Sequence, residues 1–234
     1  MVNHQTDLQL TLKINEIFYS LQGEAAATGA PTVFVRLSGC PLRCTYCDTA
    51  YAFYQGQRMD LEHIIKRVTD YGAFYVCVTG GEPLAQPNCH VLMTMLCDKG
   101  FNVSLETSGA LPIHSVDPRV RRVVDVKTPD SGEVDKHLHE NIQYLNEQDQ
   151  LKCVIGSRND YEWARAWVQK YMPLPSVMYF SPSYEKIEPK RLAQWILDDQ
   201  LPVRMQLQMH FGFEVMLTSA AAAVGGRASR PVQP

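Results

Sequence analysis

Three cysteines, Cys40, Cys44 and Cys47, stand in C-x3-C-x2-C spacing. Thiolates at this density are soft ligands, suited to iron–sulfur clusters, zinc or cuprous copper. A structural zinc ion wants four protein ligands, and a cubane iron–sulfur cluster also normally takes four. The local run supplies three, and no second pair follows. Three thiolates on a four-iron cluster leave one iron open to a small molecule. The competing readings are a structural zinc site or three buried thiols. An odd count speaks against disulfides.

Other residues could do chemistry beside the triplet. Thr79-Gly80-Gly81-Glu82-Pro83 carries two glycines that let backbone approach a ligand, with Glu82 as an acceptor for an ammonium group. Alone it would read as a tight turn. Asp48-Thr49 offers hard oxygens of the kind magnesium prefers, or a helix cap. Ser20-Leu21-Gln22-Gly23-Glu24 could present an amide and open backbone to a planar heterocycle, or be a polar loop. Arg36 lies in an apolar strand, where an unpaired charge is costly. It needs a protein carboxylate or a substrate carboxylate, the latter bound in bidentate fashion.

The elements around these residues alternate. Residues 13–18 read as an edge strand and 32–37 as a strong strand, so the cysteines lie on the loop leaving it. Further strands are expected at 74–78, 102–105, 122–126, 151–155, 177–180 and 203–209. Helices are expected after Asp60, which can cap one whose apolar residues Leu61, Ile64, Ile65 and Val68 recur at helical spacing, and at 89–99, 160–171 and 189–199, the last with Pro at its first turn. Strands alternating with helices argue for a parallel α/β sheet or open barrel. Such folds collect chemistry on loops after the carboxyl ends of strands.

The chain has 234 residues, 45% hydrophobic and 20% charged, with net charge -3. One domain is expected over residues 1–217, and a loose tail over 218–234, which is alanine-rich and then Gly/Arg/Ser/Pro-rich. A pI near 6.2 gives no reason to expect bulk nucleic-acid or anionic-membrane binding. The polar start, no apolar run of spanning length and seven cysteines point to a reducing cytoplasm. Cys77, Cys89, Cys97 and Cys153 read as buried inert thiols, and His114, His137 and His139 as surface residues.

The triplet resembles the signature of radical S-adenosylmethionine enzymes, whose open iron is chelated by that cosubstrate and whose product is a 5′-deoxyadenosyl radical. Ser-Leu-Gln-Gly-Glu, Arg36, Cys-x3-Cys-x2-Cys-Asp-Thr, Thr-Gly-Gly-Glu-Pro and Glu106-Thr107-Ser108-Gly109 follow one another in that order. Together they resemble the 7-carboxy-7-deazaguanine synthases, from about Ile14 to His210. The resemblance implies an open, TIM-like partial barrel of about six parallel strands with helices outside. It implies a lyase that converts 6-carboxy-5,6,7,8-tetrahydropterin to 7-carboxy-7-deazaguanine with loss of ammonia, for queuosine-type 7-deazapurine synthesis. The implied cofactors are a 4Fe-4S cluster on Cys40, Cys44 and Cys47, S-adenosylmethionine, and magnesium on Thr49.

Leu21, Gln22, Gly23, Arg36 and Thr79 would contact the pterin, with Arg36 on its carboxylate. Tyr46, Cys47, Asp48, Gly81, Asp125, Val126, Lys127, Ser181, Pro182, Ser183 and Tyr184 would contact S-adenosylmethionine, with Glu106 and Ser108 near its ribose. The implied partners are a flavodoxin or ferredoxin and a second copy of the chain, with no direct nucleic acid or membrane contact. Two features depart from the family pattern. Ala25, Ala26 and Ala27 follow Glu24 where a glycine is usual, and nothing from Phe211 onward matches. A radical-generating activase, or an electron-transfer or zinc-stabilised protein, are the alternatives.

Overall fold

Residues 32–37, Thr-Val-Phe-Val-Arg-Leu, are apolar almost throughout because both faces of their strand are covered, as in a parallel sheet. In the computed structural model, which describes residues 10–209, this is β2 (Pro31–Leu37), inside a nine-stranded sheet. The strands are β1 (Thr11–Leu21), β2, β3 (Gln57–Asp60), β4 (Tyr75–Gly80), β5 (Asn102–Thr107), β6 (Arg121–Asp125), β7 (Gln150–Ile155), β8 (Val177–Pro182) and β9 (Arg204–Met205). Their order is β3-β1-β2-β4-β5-β6-β7-β8-β9. From β2 to β9 every pairing is parallel, with Val33 opposite Val76 and Cys77 opposite Ser104. β1 runs antiparallel to both β2 and β3.

Two expectations are corrected, one at each flank of the sheet. The first strand is not the edge, because β3 pairs outside it with Leu12 opposite Met59. Gln57-Arg58-Met59-Asp60 has no apolar alternation, so its sequence carries no strand signal. At the other flank, residues 203–209 shrink to the two residues of β9.

The helices are α1 (Leu61–Asp70), α2 (Asn88–Asp98), α3 (Arg158–Tyr171) and α4 (Pro189–Asp198). Asp60 caps α1 as expected, its carboxylate accepting from His63 N at 2.8 Å. Leu61, Ile64, Ile65 and Val68 then face the core at helical spacing. Helix α3 starts two residues early because Ser157 caps it, accepting from Asp160 N. No α-helix joins β5 to β6 or β6 to β7; loops and short 3-10 turns do so. The core lies where Leu37, Val78, Leu92, Leu105, Ile155 and Phe180 pack together. Buried Arg122 pins the start of β6 to the turn before β7, its Nε donating to Asp149 Oδ1 at 3.0 Å.

The sheet stays open as a ladder, but amide side chains join its two flanks. After β9, Gln206 accepts from Ala25 N at 2.5 Å and donates to Thr28 Oγ1 at 2.9 Å. Gln208 Nε2 donates to Glu24 Oε1 at 2.6 Å. The loop between β1 and β2 is thereby held across the gap. The expected tail, including everything from Phe211 and the 218–234 segment, lies outside the described residues.

Candidate active site

The carboxyl ends of the parallel strands surround a cavity of about 670 Å³. The cluster loop follows β2. Its start is fixed by Gly39 N donating to Ala52 O at 2.9 Å. Its middle is docked on the turn after β6. There Thr45 N donates to Ser131 O at 3.0 Å and Thr45 Oγ1 to Asp130 O at 2.6 Å. Arg43 Nη1 donates to the carbonyls of Cys40 and Leu42 at 2.8 and 2.6 Å, and its guanidinium stacks 4.4 Å from the Phe53 ring.

Cys40, Cys44 and Cys47 all line the cavity and all are partly exposed. Burial raises the thiol pKa of Cys40, and lifts that of Cys44 to about 11. Ligation must therefore remove protons from both. Among the described residues no three His, Cys, Asp or Glu side chains are disposed to hold a single metal ion. A four-iron cluster makes a different demand, since each thiolate binds its own iron. Three thiols on one cavity wall suit that, and nothing in the loop supplies the fourth ligand of a structural zinc.

The glycine motif works differently from the expectation. A Cβ on Gly81 would lie 2.2 Å from Gly39 O, and one on Gly80 would lie 2.2 Å from Leu37 O. The glycines let two protein backbones touch, locking the β4 loop against the cluster loop. Gly81 N and Glu82 N donate to Leu37 O and Gly39 O at 3.2 and 2.8 Å. Glu82 is not an acceptor for a ligand. It is fully buried, and its carboxylate accepts from Leu84 N, Thr107 Oγ1, Ser108 N and Ser108 Oγ. That bond commits the Ser108 hydroxyl proton to Glu82 and weakens the ribose assignment of this residue.

On the cavity side nearest β1, Arg36 Nε donates to Glu16 Oε1 at 2.8 Å, and the Tyr51 hydroxyl donates to the same oxygen at 2.8 Å. Burial opposes the Arg36 charge, but Tyr51 and Glu16 outweigh it and leave its pKa raised. The protein carboxylate left open by the sequence is therefore present. Arg36 nonetheless still lines the cavity. Glu106 accepts from Gln22 Nε2 at 3.2 Å and from Thr79 Oγ1 at 2.8 Å. It thus groups with the expected pterin contacts rather than with a ribose.

Leu21, Gln22, Gly23, Tyr46, Asp48, Thr49, Gly81, Asp125, Lys127, Ser183 and Tyr184 also reach the cavity. Thr49 precedes a 3-10 turn but makes no side-chain cap bond, so the cap reading fails there. Asp125 takes Lys127 Nζ on Oδ2 at 2.9 Å, while its buried Oδ1 has no hydrogen-bond partner among the described residues. Such an oxygen suits a ligand hydroxyl or amine. Val126, Ser181 and Pro182 are buried and do not line the cavity; Val126 N is used by Lys152 O at 2.7 Å. Lys152, Phe18, Phe34, Tyr51 and Gln208 line it without having been expected. The strands of Phe18, Phe34 and Lys152 were legible, but nothing in one sequence says which residues of a strand face the cavity; Tyr51 lies in the 3-10 turn Ala50–Phe53 and Gln208 beyond β9, where no periodicity marks them.

Two remaining expectations change. His137 is buried rather than on the surface, while His114 and His139 are exposed. Cys77, Cys89 and Cys153 are buried as expected, but Cys97 is only partly so.

The radical SAM superfamily model matches residues 34–172. A 7-carboxy-7-deazaguanine synthase of Chlorobaculum tepidum is 45% identical over 203 residues, covering 85% of this chain and 92% of that protein. One of Koribacter versatilis is 40% identical over 215 residues, covering 85% and 95%. The crystal structure of QueE from Escherichia coli shares the fold, with a TM-score of 0.71 at 23% identity over 85% of this chain and 94% of that one. The triplet on one cavity wall, the open parallel sheet and these likenesses agree: the chain belongs to the 7-carboxy-7-deazaguanine synthase family of the radical SAM superfamily.

Proposed function

We propose that this chain converts 6-carboxy-5,6,7,8-tetrahydropterin to 7-carboxy-7-deazaguanine with loss of ammonia, in queuosine-type 7-deazapurine synthesis. One observation carries the reading. The three thiols share a single cavity with Gln22, Arg36, Thr79 and Glu106, a set of hydrogen-bonding and charged groups suited to a carboxylated heterocycle. Membership of the superfamily brings a 4Fe-4S cluster and S-adenosylmethionine, which together supply a 5′-deoxyadenosyl radical.

The chain's own residues bind, orient and exclude water. Cys40, Cys44 and Cys47 hold the cluster. Arg36 takes the pterin carboxylate, while Leu21, Gln22, Gly23 and Thr79 seat the ring, with Glu106 as an acceptor for its N–H groups. Thr49 offers its hydroxyl to magnesium. Tyr46, Cys47, Asp48, Gly81, Asp125, Lys127, Ser183 and Tyr184 border the S-adenosylmethionine end. Ser181 and Pro182, at the end of β8, and Val126, just past β6, support that end from beneath. Phe18 and Phe34, stacked 4.8 Å apart, keep one wall apolar.

The same reading makes the chain a cytoplasmic homodimer that takes electrons from a flavodoxin or ferredoxin and touches neither nucleic acid nor membrane. Among the described residues no helix is long and apolar enough to cross a membrane. The test is anaerobic reconstitution followed by reductant, S-adenosylmethionine and the carboxytetrahydropterin. A deazapurine, seen by ultraviolet absorbance and mass, is expected. Cosubstrate cleavage without that product would overturn the substrate assignment.

A further inference from the structure

Lys152 sits within β7, its side chain 13% exposed, and reaches the cavity. A buried ammonium is costly unless paired. This one is paired with Glu24 and lies 3.6 Å from Asp125 Oδ2. Lys127 holds the same Asp125 oxygen at 2.9 Å. Charge therefore alternates along Glu24, Lys152, Asp125 and Lys127, from the loop after β1, across β7, to the end of β6. Burial opposes the charge on Lys152 and on Asp125, but their partners keep both ionised. One cation thus serves carboxylates from two separate ligand-bearing segments. Glu24 adjoins the pterin contacts Gln22 and Gly23, and Asp125 belongs to the S-adenosylmethionine end.

We propose that Lys152 is a positioning residue for both ligands, fixing the Glu24 loop and the Asp125 strand end at a set separation across the cavity. This rests on the ligand placement given under the proposed function. Geometry between a radical source and its target is held by such contacts, and small misplacements are expensive in rate.

The test uses full-length protein reconstituted anaerobically, with iron and sulfide counted. S-adenosylmethionine and carboxytetrahydropterin binding are then measured separately by equilibrium dialysis. Lys152→Met is expected to raise both Kd values at least tenfold with cluster content unchanged. Glu24→Gln should raise only the pterin Kd, and Asp125→Asn only that of S-adenosylmethionine. Lys152→Arg should recover most of both. Wild-type binding of either ligand by Lys152→Met would overturn the proposal. Should that variant not fold, the Lys152→Met/Glu24→Gln pair removes the charge of the carboxylate that has lost its lysine, since Asp125 keeps Lys127. Its S-adenosylmethionine Kd should rise at least tenfold, and a value equal to that of Glu24→Gln alone would overturn the proposal. Wild-type protein that binds neither ligand would overturn the functional reading beneath it; wild-type protein that binds both, with Lys152→Met unaffected, would overturn this inference alone.

Discussion

Arg36 answers two demands with one side chain. Its Nε is bound by Glu16, so the cation is not left unpaired in the wall of the cavity, and the guanidinium still borders the space a substrate would fill. Arg36→Ala should raise the KM for the carboxypterin at least tenfold, because charge-assisted bonds of this type contribute about 1.5–3 kcal/mol. Iron and sulfide content should stay at the wild-type level, and an unchanged KM would count against the assignment. Glu82 stands at the opposite extreme, with every role turned inward. Glu82→Gln replaces an acceptor-only group by one carrying an N–H that meets other donors. A stability loss of about 2 kcal/mol is expected in urea titration. The cysteine triplet and Arg36 were legible from residue type and spacing. The inward use of Glu82 was not, because its partners Thr107 and Ser108 lie more than twenty residues away on another strand. Ala25 adds a local detail. It holds φ +62 in the loop where relatives were expected to carry glycine nearby, so Ala25→Gly should be neutral or slightly stabilising by thermal melting.

At the level of elements, the cluster loop and the β4 loop act as one piece, since Gly39 and Gly81 leave no room between them. Gly81→Ala must push the two backbones apart. We expect it to lower the iron bound per chain on reconstitution by more than half while the far-ultraviolet circular dichroism stays native. The elements that position this pair were readable because β2 and β4 carry apolar runs rich in β-branched residues, Thr32-Val33-Phe34-Val35 and Val76-Cys77-Val78-Thr79. The outer strand β3 was not, since three of its four residues are polar and Met59 alone gives no alternation; the helix that follows it is capped by its last residue. Asp60 serves that cap, and Asp60→Ala should cost about 1 kcal/mol in urea titration.

For the molecule as a whole, His137 links acidity to stability. Burial, then the neighbouring His139, depress its pKa from 6.5 to about 4. Above pH 6.5 the ring is neutral in both folded and unfolded chains. Between about 6.5 and 4 only the unfolded chain takes up the proton, so stability falls as pH falls, by roughly 3 kcal/mol at most. Comparing urea midpoints at pH 7.5 and 5 should show this drop, and His137→Phe should remove its share. No sequence rule marks this histidine as interior; its burial comes from packing against Gly109 and Trp167, which are distant along the chain.

The glutamines that join the two flanks of the sheet have a consequence for traffic through the molecule. That wall is closed by Gln206, Gln208, the Met209 N to Gly23 O bond and the Lys152–Glu24 ion pair, and not by pairing of one strand with another. Passage of a bulky heterocycle on that side would have to break these contacts, but no strand pairing of the sheet.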